Sequence, residues 1–361
     1  MRLLHFQELK PVCPRCLAER RGDSGAEPPP LALEVTCGSE EEVESGLLRC
    51  PACGKVYPIL AGLPVLVPDP AQFVADHLIY FFLPTAQPEA LEDWLAEALT
   101  GAGWYEATRR NCSTYGWDHY ADCDPDEMAD GVASRPGSAL QSLATALDAM
   151  PTAPPGPALD IGCAAGRTTF ALAERVTGCV LGIDVNVPLL RLARQVLHDG
   201  EVAYARFDLG RAYQRRRFPF SPACRGRVDF WIADAHQPPF AARRFGTLVA
   251  LNMIDCLQKP TEALAALGGV MKRDAWAVIG MPYDWSEAVT PVVDWIAGTS
   301  SSEVGETETQ LKTQLESMGL RIVREWPHQP WRVRLHRRAS VTYHTHLLLL
   351  ASGEPQHGAA L

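Results

Sequence analysis

The stretch Ala158-Leu-Asp-Ile-Gly-Cys-Ala-Ala-Gly-Arg-Thr-Thr-Phe170 begins as a strand, breaks on small residues and continues as a helix. Ala158 to Ile161 is a short, mainly apolar run. Gly162, Ala164 and Gly166 let a ligand approach the backbone, and Phe170, Leu172, Ala173 and Val176 recur at helical spacing. A strand, a turn without bulk and a helix aim amide donors at whatever sits above the turn. Such a start suits an adenosyl cofactor, whether its tail is pyrophosphate or an amino acid.

Reading outward, Cys179-Val-Leu-Gly-Ile-Asp-Val185 predicts a second strand that ends on the carboxylate of Asp184, placed to accept both hydroxyls of a ribose. Val228 to Ala235 predicts a third strand ending in Asp234 and Ala235, followed by strands in Phe245–Ile254 and Ala275–Tyr283. Strands alternating with helical segments imply a mainly parallel, doubly wound α/β sheet. Upstream, Pro151-Thr-Ala-Pro-Pro-Gly-Pro157 excludes helix and reads as a linker. It divides an amino-terminal unit (1–69) and a helical, aromatic- and acid-rich connector (70–150) from the cofactor-binding domain (151–361). In the connector, Phe73–Leu83 is followed by Ala86–Leu99, which has helical spacing. Tyr115-Gly-Trp-Asp-His-Tyr120 reads as packing between the units, with a lid over the cofactor as the other reading.

A nicotinamide fold would prefer Gly-x-Gly-x-x-Gly, whereas the order here is Asp160-x-Gly162-x-Ala164-x-Gly166. This resembles motif I of the class I S-adenosylmethionine-dependent methyltransferases, which implies a Rossmann-like, seven-stranded, doubly wound sheet. The resemblance implies that Gly162, Ala164 and Gly166 line the methionine part, Asp184 holds the ribose, and Asp234 with Ala235 frames the adenine. Asp160, Arg167 and Asn252 are counted with the same site. Ala164 stands where glycine is commonest.

Amino-methylating enzymes that act on DNA, glutamine or adenine carry Asn- or Asp-Pro-Pro-Tyr/Phe after the fourth strand; here the place reads Leu251-Asn-Met-Ile-Asp255. The carboxy-terminal half instead resembles the methyltransferase domain of ovothiol synthases, which N-methylates the imidazole of thiohistidine. The resemblance rests on Leu159–Phe170, Ala250-Leu-Asn-Met-Ile-Asp-Cys-Leu257, Met281-Pro-Tyr-Asp-Trp285, Thr290-Pro291, Trp295-Ile-Ala-Gly298 and Pro330-Trp-Arg-Val-Arg-Leu-His-Arg-Arg338. It covers about residues 158–345 and implies a small histidine-derived substrate, with nitrogen, sulfur or selenium open as the accepting atom. Asn252 and Tyr283, at the carboxyl ends of strands, are candidates to orient it, Asp255 to accept its hydrogen bond or proton. Arg334, His336 and Arg338 are candidates to clamp a carboxylate, although the alternation of Arg332, Arg334 and His336 also fits an exposed strand face. Two other readings stay open: a methyltransferase acting on tRNA, rRNA or protein, and a cofactor-binding scaffold without turnover.

Cys13-Pro-Arg-Cys16 and Cys50-Pro-Ala-Cys53 are two knuckles, each able to aim two thiolates at one tetrahedral zinc ion. The 33 residues between them, with their prolines at 28–30 and the acidic run Glu40–Glu44, read as a loop insertion. With Tyr57-Pro-Ile-Leu-Ala-Gly-Leu-Pro-Val-Leu-Val67, residues 9–69 resemble the small zinc-ribbon activators that partner tRNA, rRNA and release-factor methyltransferases. That resemblance implies structural zinc and a docking or stabilising role. Cys37 is left as a buried or surface thiol.

Composition bounds these readings. The 361 residues carry 43 acidic and 33 basic side chains, a net charge of −10, which argues against a chain built to coat nucleic acid. Charge is uneven: 85–153 holds 12 acidic and 3 basic residues, while 206–227 holds 7 Arg and one Asp. Arg215 to Arg217 therefore read either as a solvated loop or as a local anion site. Apolar runs stop short of the roughly 18–20 residues of a membrane span and Met1–Lys10 lacks a signal-type stretch, so the expected compartment is the cytoplasm. The oligomeric state is not legible.

Overall fold

The computed structural model describes residues 1–19, 27–83, 87–127, 135–296 and 306–353; Ala26, Ala86, Asp130 and Ala297-Gly298, at the edges of segments read above, lie outside them. Two short helices, α1 (Leu3–Leu9) and α2 (Pro14–Glu19), precede the antiparallel strands β1 (Ala32–Gly38), β2 (Val43–Arg49), β3 (Val56–Leu60) and β4 (Leu63–Leu66). The span between the cysteine pairs is thus not the expected loop. Its acidic run turns the chain and enters β2 at Val43 and Glu44, and the residues on either side of the turn pair as β1 and β2.

The connector forms α3 (Pro70–Phe82), α4 (Glu89–Ala98), α5 (Gly103–Tyr120) and α6 (Ser138–Asp148). Asp69 caps α3 by accepting the Gln72 N–H, with Pro70 already set for the first turn.

The remainder alternates: β5 (Ala158–Ile161), α7 (Arg167–Arg175), β6 (Val180–Asp184), α8 (Val187–Asp199), the hairpin β7 (Glu201–Phe207) and β8 (Tyr213–Pro219), β9 (Val228–Ala233), β10 (Phe245–Leu251), α9 (Pro260–Val270), β11 (Met271–Met281), α10 (Thr307–Ser317), β12 (Leu320–His336) and β13 (Ala339–Ser352). Every residue of β5, β9 and β10 is buried, as expected of parallel strands covered on both faces. Asn186 caps α8 through the Leu189 N–H and Gly200, at φ +68°, ends it.

The sheet runs β1-β2-β3-β4-β9-β6-β5-β10-β11-β13-β12. Its seven strands from β9 to β12 are the expected α/β sheet, parallel except for β13, which is antiparallel to both neighbours. Between β5 and β10 the connections reverse direction, which opens a crevice at the strands' carboxyl ends. On the far side β4 pairs in parallel with β9, Val65 opposite Ile232 and Leu66 opposite Ala233, so the sheet passes residue 69 without a break. Leu63, Val65 and Leu66 are fully buried there.

The arginine-rich insertion is the hairpin β7–β8, which pairs outside the main sheet and packs on α5. Arg216 is bound through Nε to Asp124 at 2.7 Å and also reaches Asp126; Arg206 pairs with Glu127. Neither sequence reading of the cluster holds for Arg216, because the excess acid of the connector and the excess base of the hairpin neutralise each other. Among the described residues no helix is long and apolar enough to cross a membrane.

Candidate functional site

The turn after β5 is shaped by left-handed backbone at Gly162 (φ +67°), Ala164 (φ +46°) and Gly166 (φ +85°). A Cβ at Gly166 would lie 2.6 Å from the Phe230 ring and 2.8 Å from Ala193, so that glycine lets α7 close on the sheet and does not line the ligand space. Ala164 takes the same hand with a side chain, at a cost of roughly 1–2 kcal/mol; its N–H donates to Asp184 Oδ2 at 2.9 Å, which holds it there. Asp184 Oδ1 accepts the Asn186 N–H at 2.8 Å. Asp160 accepts from the hydroxyls of Thr168 and Thr169, both at 2.7 Å. Burial pushes its carboxyl up to about 6, against those two donors.

Above this turn lies a cavity of about 450 Å³, floored by the carboxyl ends of β5, β6, β9, β10 and β11. Asp160, Gly162, Ala164, Asp184, Asp234, Ala235 and Asn252 all line it. Asp234 is braced by His236, whose Nδ1 donates to Oδ1 at 2.7 Å while Nε2 accepts the Lys259 N–H. Arg167 points elsewhere: its guanidinium binds the His119 carbonyl at 3.1 Å and Asp122 at 2.9–3.0 Å.

Of the residues expected to meet a substrate, Asn252 and Asp255 reach the cavity. Asn252 sits at φ +49° and its Oδ1 accepts from Thr345. Asp255 is 3 % exposed; Oδ2 accepts the Asp284 N–H at 2.8 Å, whereas Oδ1 is buried without a hydrogen-bond partner among the described residues. Burial raises its carboxyl above the usual range. Tyr283 does not line the cavity: its hydroxyl donates to His346 Nδ1 at 2.7 Å, and His346 Nε2 donates to Glu325. Nor do Arg334 and His336, because Trp331 and Val333 take the inward places on β12. Arg334 instead donates to the Phe207 carbonyl at 2.8 Å, and His336 accepts the Arg338 N–H.

Of the opposite wall, sequence reasoning offered only Tyr115–Tyr120, and that as a lid, the second of two readings. Asn111, Thr114, Tyr115, Asp118 and His119 line the cavity from α5, and Trp331 and Tyr343 line it along with Asp255 and Asp284. The signal was present: 111, 114/115 and 118/119 form one helical stripe, but it is polar, and apolar periodicity passes over it. Trp117 and Tyr120, on the other side of α5, are fully buried. The Tyr120 hydroxyl donates to the Ala165 carbonyl at 2.6 Å. The segment therefore packs and also covers the cavity, against the hairpin and motif loop and not between two units.

In the amino-terminal part the sulfurs of Cys13, Cys16, Cys50 and Cys53 all lie within 4.8 Å of one another. Sulfurs held about 2.3 Å from a tetrahedral ion are about 3.8 Å apart. Cys13 to Cys53 is 3.7 Å and Cys16 to Cys50 is 3.8 Å, so the four can hold one metal ion. The Tyr57 hydroxyl, 3.0 Å from Cys13 Sγ, braces the set. Cys37 is exposed.

Residues 159–279 match the family described as a methyltransferase domain. No curated protein matches the chain. Similar solved structures include the YcgJ protein from Bacillus subtilis (14% identity, 60% of this chain and 100% of that chain, TM-score 0.40). An S-adenosylmethionine-dependent methyltransferase from Aquifex aeolicus is another (17% identity, 54% and 80%, TM-score 0.34). A third is the complex between the Haloferax volcanii Trm112 methyltransferase activator and the putative methyltransferase (14% identity, 61% and 90%, TM-score 0.36).

Proposed function

We propose that this chain, whose residues 159–279 carry a class I S-adenosylmethionine-dependent methyltransferase domain, N-methylates a small histidine-derived imidazole such as that of a thiohistidine or selenohistidine. The observation that carries the acceptor's chemistry is Asp255, a cavity-lining residue whose buried Oδ1 has no hydrogen-bond donor among the described residues. Left unmatched, such an atom costs about 1–3 kcal/mol. An azole N–H satisfies it. Asp284, Trp331 and Tyr343 line the same cavity, and no Lys or Arg lines it among the described residues.

The cofactor-facing residues fit the group that the domain implies. The cavity falls in the usual 300–1,000 Å³ range for small ligands, and it gathers Asp184 for a ribose diol, Asp234 and Ala235 for adenine, and Asp160, Gly162 and Ala164 for the amino-acid part. When bound, the cofactor supplies a methyl group on a sulfonium, open to in-line displacement. The chain's task is then alignment and exclusion of water. Asp255 holds the N–H of one ring nitrogen, which turns the lone pair of the other toward the cofactor, and its raised affinity for protons suits it to take the proton released. Asn252, fixed by Thr345, orients the ring. The four cysteines, none of which lines the cavity, would hold a structural zinc ion.

The test is mass spectrometry of the protein with S-adenosylmethionine and, separately, histidine, 5-thiohistidine, selenohistidine and bulk RNA. One added methyl on an imidazole is expected, with Asp255→Asn at least about a hundredfold slower. Methylated RNA or protein with no small-molecule product would overturn the proposal in favour of a macromolecular substrate.

A further inference from the structure

His119, on the last turn of α5, takes no part in the scheme above although it is 4 % exposed and faces the cavity. Its Nδ1 accepts the Arg167 N–H at 3.1 Å, so the ring's proton resides on Nε2. Burial, and then the nearby Arg167 charge, pull its pKa down to about 3 and keep it neutral. Nε2 has no hydrogen-bond partner among the described residues, and His119 is one of the residues that line the cavity.

The surroundings say what that N–H can meet. Asp118, Asp160 and Asp184 line the same region and suit an ammonium or hydroxyls. An anion on this wall is met by the His119 N–H and by the amino-terminal end of α7, whose dipole favours negative charge. His119 is bonded to Arg167, the first residue of α7, and Tyr120 to Ala165 of the motif loop, which puts His119 at the loop end of the cavity. We infer that His119 donates Nε2–H to the carboxylate of the cofactor's amino-acid end, so that α5, outside the matched 159–279, completes the cofactor site. The inference rests on the methyltransferase reading of the cavity.

Calorimetry without substrate tests it, with S-adenosylmethionine and its decarboxylated analogue, which lacks the carboxylate. The wild type should prefer the carboxylate-bearing ligand by about tenfold or more, in line with a hydrogen bond to a charged group. His119→Ala should lose about tenfold of that preference, and His119→Gln should recover part of it. Because the readout is a ratio within one protein, a general loss of stability does not imitate it. An unchanged ratio in His119→Ala overturns the inference. So does an unchanged ratio joined to a raised KM for an amino-acid substrate, which assigns the carboxylate to the substrate. Binding of neither ligand by the wild type would remove the methyltransferase reading together with this one.

Discussion

Asp184 holds its own loop before it can hold a ligand, since both carboxylate oxygens accept backbone N–H groups, from Ala164 and from Asn186. Asp184→Ala should therefore weaken S-adenosylmethionine binding by about a hundredfold, through the lost diol contact and a loosened turn, while the four-cysteine site keeps its metal. Calorimetry and native mass spectrometry check the two halves, and unchanged affinity would sink the ribose assignment. Asp118 makes a prediction in pH. Burial raises its carboxyl to about 7, although backbone N–H groups including that of Ser138 at 2.8 Å favour the ion. The unfolded chain gives up that proton near 4, the folded one near 7. Between those values the folded state binds more protons, so this residue's contribution to stability falls as pH rises. Asp118→Asn, which cannot ionise, should flatten the fall in melting temperature between pH 5 and 8; a slope equal to the wild type's would refute it.

At the scale of elements, α5 and the hairpin work as one piece. Asp124 is 2 % exposed and bound by Arg216, whose removal would leave a buried, uncompensated carboxylate. Arg216→Ala should cost about 3 kcal/mol, and adding Asp124→Asn should restore most of it. Thermal melts of the two single variants and the double measure this, and additive losses would show that the pair does not interact. The same lattice, with Arg167 on Asp122, fixes the carboxyl end of α5 and hence the wall bearing Tyr115, Asp118 and His119.

Across the whole molecule, the β4–β9 pairing makes one sheet of what reads as two units. Residues of the amino-terminal part lie in both cores: Leu9, Cys13 and Leu48 pack with Leu181 and Trp231, while Leu63 and Val65 pack with Phe230 and Ile232. Asp229, buried in β9, accepts the Arg2 N–H at 2.8 Å and the Trp231 indole at 2.7 Å. Stripping metal with a chelator, or Cys50→Ser, should then lower a single melting transition that also reports cofactor release. Two separate transitions, the second unmoved by chelator, would show that the halves fold independently.

Local signals were legible because neighbours in the chain set them. The strand–turn–helix at 158–170 needs only its own small residues, Asp184 and Asp234 end their strands by position, and each cysteine pair closes within four residues. Asp255 and Asn252 were legible for the same reason, lying just past a strand's carboxyl end. What the tertiary structure alone decided depends on partners far away in sequence. Alternation in β12 cannot say which face is inward, and only the pairing of β12 with β13 and its packing on α5 and α6 turn Trp331 to the cavity and Arg334 to the hairpin. A polar helix stripe does not declare that it covers a cavity, and an acidic connector and an arginine-rich insertion do not announce that they will meet. Those outcomes follow from how whole surfaces are buried against one another, and a one-dimensional pattern does not carry that.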